Sequence, residues 1–181
     1  MKKLIEKTLS SNLVYQGSFL KVLKDEVELP DGKTGIREYI PHPGAAMVIP
    51  VTDKGNLVML RQYRYPLQQV FIEFPAGKTD AGEDALKTAE RELEEETGYV
   101  AKEFRHMVTV HPVIGYSNEK IALYLARGLT MKAQRLDQEE FLDVFEISFA
   151  DAMEKMHKGE ITDVKTMIGL FWYQQILNSK W

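Results

Sequence analysis

The sequence predicts an α/β protein built on a mixed sheet. Strand-like and helix-like runs alternate along the 181 residues, which is typical of one layered α/β domain. Residues 45–51 are continuously apolar, as in a strand that is buried on both faces. Residues 82–98 have the length and charge spacing of one amphipathic helix. Hydrophobic residues make up 44% of the chain, which is enough for a core.

The N-terminal part predicts a β-hairpin. Residues 19–28 alternate apolar and polar side chains, and a second strand-like run at 34–40 follows the turn-forming residues 30–33. The first fifteen residues begin with lysines, but charges interrupt every apolar stretch. We therefore expect no signal peptide, no membrane span and a cytoplasmic protein.

The middle of the chain predicts two more strands and a tight turn before the helix. The buried strand at 45–51 is followed by the turn 53–56 and a strand at 57–63. A short strand at 71–74 then leads into a turn at 75–77. We expect the helix to begin at Gly82 and to end before Gly98, with Leu86, Ala89 and Leu93 as its apolar stripe.

The C-terminal part predicts three further strands and two helices. The strands are expected at residues 103–110, 121–126 and 141–148, and the helices at residues 149–158 and 166–178.

The acidic residues of the helix predict a metal site. Glu92 and Glu96 stand one turn apart, with Glu95 beside them. Like charges at this spacing oppose helix formation by about 0.2–0.5 kcal/mol per pair, and acids in a last turn also face the negative end of the helix dipole. Arg91 can steady Glu95 at i,i+4, but we expect one guanidinium not to satisfy several carboxylates. Oxygen ligands without nearby cysteine or histidine favour magnesium or manganese over zinc.

The same segment resembles the Nudix signature G-x5-E-x7-R-E-U-x-E-E-x-G-U, where U is aliphatic. Tyr99 stands where an aliphatic residue is usual. A solvated acidic helix face is the alternative, but the number of specified positions at fixed gaps favours the signature. The matching residues are Gly77, Glu83, Arg91, Glu92, Leu93, Glu95, Glu96 and Gly98.

The resemblance implies a Nudix α/β/α sandwich over residues 44–181. The segment VELPDGKTGIREYIPHPGAA resembles the extra β-subdomain of the ADP-ribose and nucleoside-diphosphate-sugar branch, which exchanges strands across a homodimer. It implies an N-terminal β-subdomain at residues 1–43 that dimerises. The later segment GEITDVKT also resembles that branch.

The resemblance also implies a reaction and its residues. Members of this branch hydrolyse the pyrophosphate of substrates such as ADP-ribose, GDP-mannose or ADP-glucose, giving a nucleoside monophosphate and a sugar phosphate. The cofactor implied is Mg²⁺, with Mn²⁺ as an alternative. The metal ligands implied are Glu92, Glu95, Glu96 and the backbone carbonyl of Ala76, with Glu83 and Arg91 orienting the carboxylates.

The general base and the substrate contacts are implied outside the signature. The branch often places the base on a mobile loop after a late strand. Here that loop is residues 133–140, just before the strand at 141–148, which makes Glu140 or Glu139 the candidate. An acidic surface turn is the alternative for that loop. The substrate-binding residues implied are Arg37, Arg64 and Glu119.

Composition excludes several other functions. The net charge is −4 and no Lys/Arg block occurs, which argues against a nucleic-acid surface. The absence of cysteine excludes disulfides, thiolate chemistry and Cys-ligated zinc. Two functional alternatives stay open: another Nudix chemistry such as cleansing of oxidised nucleotides, and a non-catalytic Nudix domain that senses a nucleotide. The sequence does not rank the nucleobase or the sugar.

Overall fold

A computed structural model describes residues 4–136 and 141–178. Strands and helices alternate, which confirms the α/β class. Within these residues the elements are β1 Lys7–Gln16, β2 Lys21–Glu28, β3 Thr34–Tyr39, β4 Ala45–Pro50, β5 Leu57–Arg64, β6 Gln69–Glu73, β7 Ala76–Lys78, α1 Ala85–Thr97, β8 Tyr99–Val110, β9 Ile121–Met131, β10 Leu142–Ile147, α2 Phe149–His157 and α3 Val164–Asn178.

The chain divides into two compact units. The first unit comprises Met1–His42 and Val113–Glu119, and the second comprises Pro43–Pro112 and Lys120–Trp181. The dimerising role expected for residues 1–43 and the catalytic role expected for residues 44–181 stay predictions.

The first unit contains an antiparallel sheet in the order β1-β2-β3. The predicted hairpin is confirmed, with Glu28 opposite Thr34 across the turn. Strand β1 was not predicted. All ten of its residues are exposed, so its sequence lacks the apolar alternation by which a half-buried strand is recognised.

The second unit contains the sheets β10-β5-β6 and β7-β4-β9-β8. β4 pairs in parallel with β9 and antiparallel with β7, so the sheet is mixed as predicted. Met47 and Ile49 of β4 pack in one core cluster with α2 and α3. Ala46 and Val48 pack with α1 on the opposite face. Helices therefore cover both faces of β4, which explains its continuously apolar sequence.

Helix α1 begins later than expected. Asp84 caps it by accepting a hydrogen bond from Lys87 N at 2.9 Å, whereas Gly82 lies in the preceding turn with φ 84°. The predicted end is confirmed, because Gly98 takes the left-handed conformation with φ 73°. Among the described residues, no helix is long and apolar enough to cross a membrane.

Two local expectations were wrong. Leu86 is 36% exposed, whereas Ala89 and Leu93 are buried, so the apolar stripe of α1 is narrower than expected. Ala76 and Gly77, which were expected to form only a turn with Pro75, belong to β7, in which Ala76 pairs with Met47 of β4. This pairing fixes the backbone next to the acidic end of α1.

Candidate active site

Arg91 lies at the centre of the acidic face of α1. Its Nη1 donates to Glu92 Oε1 at 2.7 Å and to Glu95 Oε2 at 2.9 Å. Its Nε and Nη2 donate to the two oxygens of Glu83 at 3.2 and 3.1 Å, and Nη2 also donates to Lys78 O at 2.9 Å. One guanidinium thus binds three carboxylates. The expectation that Arg91 would steady only one acid was wrong, because its planar guanidinium presents five N–H donors.

Glu83 anchors this guanidinium. The Arg91 hydrogen bonds are the main reason why the pKa of Glu83 falls to about 2, and donors from Asp80 N (3.2 Å) and the Thr88 hydroxyl (2.9 Å) lower it further. The same pairing raises the pKa of Arg91. Glu83 is therefore ionised at neutral pH and holds Arg91 facing Glu92 and Glu95.

The last turn of α1 lies against β7. Glu96 is 2% exposed, and its Oε2 accepts a hydrogen bond from Ala76 N at 2.9 Å. The Glu92 carboxylate lies so close to Gly77 that a Cβ there would be 1.8 Å from Glu92 Oε1. Only glycine fits this approach. The structure therefore brings together the predicted residues Ala76, Glu92 and Glu96 with the signature glycine.

The donor set matches a hard divalent cation in chemistry, because it consists of carboxylate and backbone oxygens. Within residues 4–136 and 141–178, however, no three Asp, Glu or His side chains are arranged as a ready metal cage. Glu92 and Glu95 direct oxygens to Arg91, and Glu96 directs one to Ala76 N. An ion would compete with Arg91 for the oxygens of Glu92 and Glu95.

Arg64 belongs to a second charged cluster in the same unit. Its Nε and Nη2 donate to Glu73 Oε1 and Oε2, both at 2.7 Å, and Lys165 Nζ donates to Glu73 Oε2 at 2.5 Å. Burial raises the pKa of Glu73, but the hydrogen bond from Arg64 and the charge of Lys165 outweigh burial and lower it. The predicted Arg64 is therefore held by an ion pair.

Glu73 and Lys165 were not predicted as site residues. Glu73 stands alone among apolar residues and Lys165 follows Asp163 by two residues, and only their three-dimensional pairing distinguishes them from surface charges. One available signal was an acid at the end of an apolar strand, next to the turn that carries Ala76 and Gly77.

Two further predicted residues belong to the first unit, and two fall outside the described residues. Arg37 and Glu119 belong to the first unit. There, Arg37 Nε donates to Glu6 Oε2 at 2.8 Å, and Glu119 Oε1 lies 3.8 Å from His42 Nε2. The candidate bases Glu139 and Glu140 lie outside the described residues.

Comparisons with known proteins match both parts of the chain. The NUDIX domain model matches residues 41–167. A model described as the nucleoside diphosphate sugar hydrolase N-terminal domain matches residues 6–40.

Relatives match over nearly the whole chain. An ADP-ribose pyrophosphatase of Bacillus subtilis (strain 168) is 38% identical over 176 residues, covering 96% of this chain and 95% of the relative. A methanol dehydrogenase activator of Bacillus methanolicus is 41% identical over 171 residues, covering 93% and 92%. The crystal structure of an ADP compounds hydrolase superposes with a TM-score of 0.88 at 22% identity, covering 98% of this chain and 97% of that one, and shows the same fold.

Proposed function

The chain belongs to the Nudix hydrolase family, and we propose that it hydrolyses the pyrophosphate bond of nucleoside diphosphate sugars to a nucleoside monophosphate and a sugar phosphate. The observation that carries the proposal is the close approach of the Glu92 carboxylate to Gly77, with Glu96 bound to Ala76 N beside it. The match of residues 6–40 to the N-terminal domain of nucleoside diphosphate sugar hydrolases supports the substrate class. Cleavage of ADP-ribose, named for one relative, is the specific reaction proposed.

Nudix hydrolases generally use a divalent metal ion, and Mg²⁺, with Mn²⁺ as an alternative, is the ion proposed here. Glu92, Glu95, Glu96 and the Ala76 carbonyl would hold it. When bound, such an ion neutralises the charge on the pyrophosphate and lowers the pKa of a bound water. Because Arg91 binds Glu92 and Glu95, it keeps these carboxylates on one side of α1 in the absence of the ion.

The protein groups have distinct proposed tasks. Glu83 and Arg91 orient the carboxylates through the ion pairs described above. The carboxylate of Glu140, or of Glu139, accepts a proton from the water that attacks phosphorus, while the bond from phosphorus to the bridging oxygen breaks. Arg64 contacts the pyrophosphate through its guanidinium, a group suited to bidentate binding of phosphate oxygens.

Arg37 and Glu119 are proposed as further substrate contacts, together with a homodimer formed through residues 27–40. Apolar side chains are exposed on the sheet of the first unit, which supports a covering partner. Arg37 forms an ion pair with Glu6 of the same copy. To contact a substrate, Arg37 would have to give up this ion pair. The exposed apolar residues of this sheet include Leu9, Leu13, Val14 and Ile36, and Phe19 is exposed between β1 and β2.

A substrate panel tests the proposed function. The chain is incubated with Mg²⁺ and ADP-ribose, GDP-mannose, ADP-glucose, UDP-glucose or oxidised dGTP, and products are separated by anion-exchange chromatography. We expect a nucleoside monophosphate and a sugar phosphate from one or more of the sugars. Turnover of oxidised dGTP alone would favour the cleansing alternative. No turnover of any compound would favour a nucleotide sensor.

A second candidate comes from one relative's name. The Bacillus methanolicus protein is named as an activator of methanol dehydrogenase. An equivalent role for this chain is tested by measuring methanol dehydrogenase activity with and without added chain. A rate increase that also requires Glu96 would link activation to hydrolysis, whereas an increase that survives Glu96→Gln would indicate a separate binding role.

A further inference from the structure

A buried ion-pair cluster joins the first turn of α3 to Arg64. Glu73 lies at its centre with 3% of its surface exposed, and it accepts hydrogen bonds from both Arg64 and Lys165. The Lys165 side chain is 13% exposed and also donates to Asp163 Oδ2 at 3.0 Å. A buried carboxylate is costly unless donors occupy its oxygens, so Glu73 depends on both cations for its position.

Glu73 orients Arg64 without covering it. The carboxylate binds the Nε and Nη2 edge, a bidentate arrangement that fixes the plane of the guanidinium. Nη1 lies outside this pair, and the Arg64 side chain remains 40% exposed. Hydrogen bonding to Glu73 is the main cause of the raised pKa of Arg64, and the charge of Glu96 adds to it. Glu73 is three residues before Ala76, whose N donates to Glu96 Oε2 at 2.9 Å, so the cluster lies on the segment that leads to the acidic face of α1. Arg64 is therefore a partly exposed cation with a fixed direction near that face.

The start of α3 is itself held firmly. Asp163 Oδ2 accepts a hydrogen bond from Thr166 N at 3.0 Å, and Thr166 Oγ1 accepts one from Phe74 N at 3.1 Å. Gly169 packs so tightly that a Cβ there would lie 2.8 Å from Met47 Cε and 3.3 Å from the Phe74 ring. Lys165 thus projects from a backbone that is fixed to the residue following Glu73.

We propose that Lys165 is a positioning residue for substrate binding: through Glu73, it holds Arg64 in the orientation that contacts the substrate pyrophosphate. The inference rests on the proposed function, because it assigns Arg64 to the pyrophosphate. It adds that the first turn of α3, far in sequence from the signature helix, sets substrate affinity. A purely structural cluster would contribute to stability without acting through Arg64.

Steady-state kinetics of single variants form the first test. Lys165→Met keeps side-chain length but removes the charge, and Lys165→Gln serves as a polar parallel. We expect KM for ADP-ribose to rise roughly tenfold to a hundredfold, with kcat changed by less than about threefold. Lys165→Arg keeps the charge and should restore most of the affinity. A matched control is Lys155→Met, which breaks the 2.6 Å pair with Glu160 near α2 and should leave KM unchanged.

A double-mutant cycle separates positioning from structure. In an Arg64→Ala background, Lys165→Met should change KM by less than about twofold, because the group that it positions is already gone. The same increase in KM in both backgrounds would overturn the proposal. So would a folded Lys165→Arg enzyme whose KM rises by about tenfold or more over wild type, a comparison that can be made even if the methionine variant fails to fold. Wild-type turnover distinguishes the two proposals. If the wild-type enzyme shows no turnover, the proposed function is refuted. If it turns over but the effects of Lys165→Met and Arg64→Ala on KM are additive, only the role of Lys165 is refuted.

Discussion

The acidic face of α1 and the β1–β3 sheet differ in how far their side chains find hydrogen-bonding and packing partners within one copy of the chain. On α1, Arg91 binds three carboxylates, Glu96 binds Ala76 N, and the helix packs against buried residues of β4. On the sheet, every residue of β1 is exposed. The buried Asp25 Oδ1 also has no hydrogen-bond partner within the described part of the chain.

This contrast indicates where each function lies. A charged site whose acids are held by Arg91 and by a backbone N–H is preorganised, and all these groups come from one chain. An antiparallel sheet with exposed apolar side chains lacks part of its packing, and a second surface would complete it. We therefore propose that catalysis takes place at the α1 region and that assembly takes place through the sheet.

The largest expected effect is that of Glu96→Gln. The change removes one charge from the α1 face but keeps an oxygen that can accept the hydrogen bond from Ala76 N. Loss of the metal would remove charge neutralisation and water activation together, and two losses of about 10² each combine to roughly 10⁴ in kcat/KM. Magnesium titration by calorimetry and thermal unfolding check binding and fold. The control is Glu90→Gln, which alters an acid paired with Lys87 on the same helix. Unchanged magnesium affinity and an unchanged rate in Glu96→Gln would refute the site.

The next effect is that of the general base. Glu140→Gln should lower kcat by about 10²–10⁴, because a base acts on the attacking water and stabilises mainly the transition state. KM for the nucleoside diphosphate sugar and metal affinity should change little. Glu139→Gln is the matched control, and the two results should exchange if Glu139 is the base. If neither variant loses even about tenfold in kcat, the loop is not catalytic, and a signature acid such as Glu95 would have to activate the water.

Gly77→Ala tests preorganisation directly. The added Cβ would meet the Glu92 carboxylate, which can move because it is the end of a flexible side chain. We expect activity to fall by about 10², since a displaced ligand of this kind has a large kinetic cost. Stability should change by less than about 2 kcal/mol. The control is Gly115→Ala, where no atom lies within 4 Å of the added Cβ. Full activity of Gly77→Ala would show that the close approach of Glu92 to Gly77 has no role in activity.

The smallest effect concerns assembly. Sedimentation should show a homodimer, and Ile36→Glu should weaken it by about 1–3 kcal/mol, because it places a charge on an exposed apolar position of β3. Magnesium affinity of the α1 site should stay the same. Val70→Glu makes the same change at an exposed position of the second unit and should leave the dimer intact. A wild-type monomer at assay concentrations would remove the role assigned to the sheet.

Local sequence predicted the regions in which short-range rules dominate. The apolar run of β4 and the end of the signature helix were located correctly, because burial on both faces and a glycine after the last helical turn leave clear sequence signals. Strand β1 could not be found in this way, since an exposed strand carries no apolar alternation.

The sequence patterns did not predict contacts between residues that are far apart in the chain. Arg91 is four residues from Glu95, which made that contact predictable, but its bond to Lys78 O depends on β7 pairing with β4. Glu73 and Lys165 are 92 residues apart and meet only because α3 packs near β6. Such contacts depend on tertiary structure, which periodicity and motif spacing do not encode.

Analysis of the products of ADP-ribose hydrolysis by the intact chain tests most directly whether catalysis takes place at the acidic face of α1. The products are monitored by phosphorus NMR with and without Mg²⁺. We expect AMP and ribose 5-phosphate in equal amounts, formed only with the metal and greatly reduced in Glu96→Gln. Absence of turnover with Mg²⁺ or Mn²⁺, release of inorganic phosphate instead of the two monophosphates, or full activity of Glu96→Gln would contradict the assignment of catalysis to the acidic face of α1.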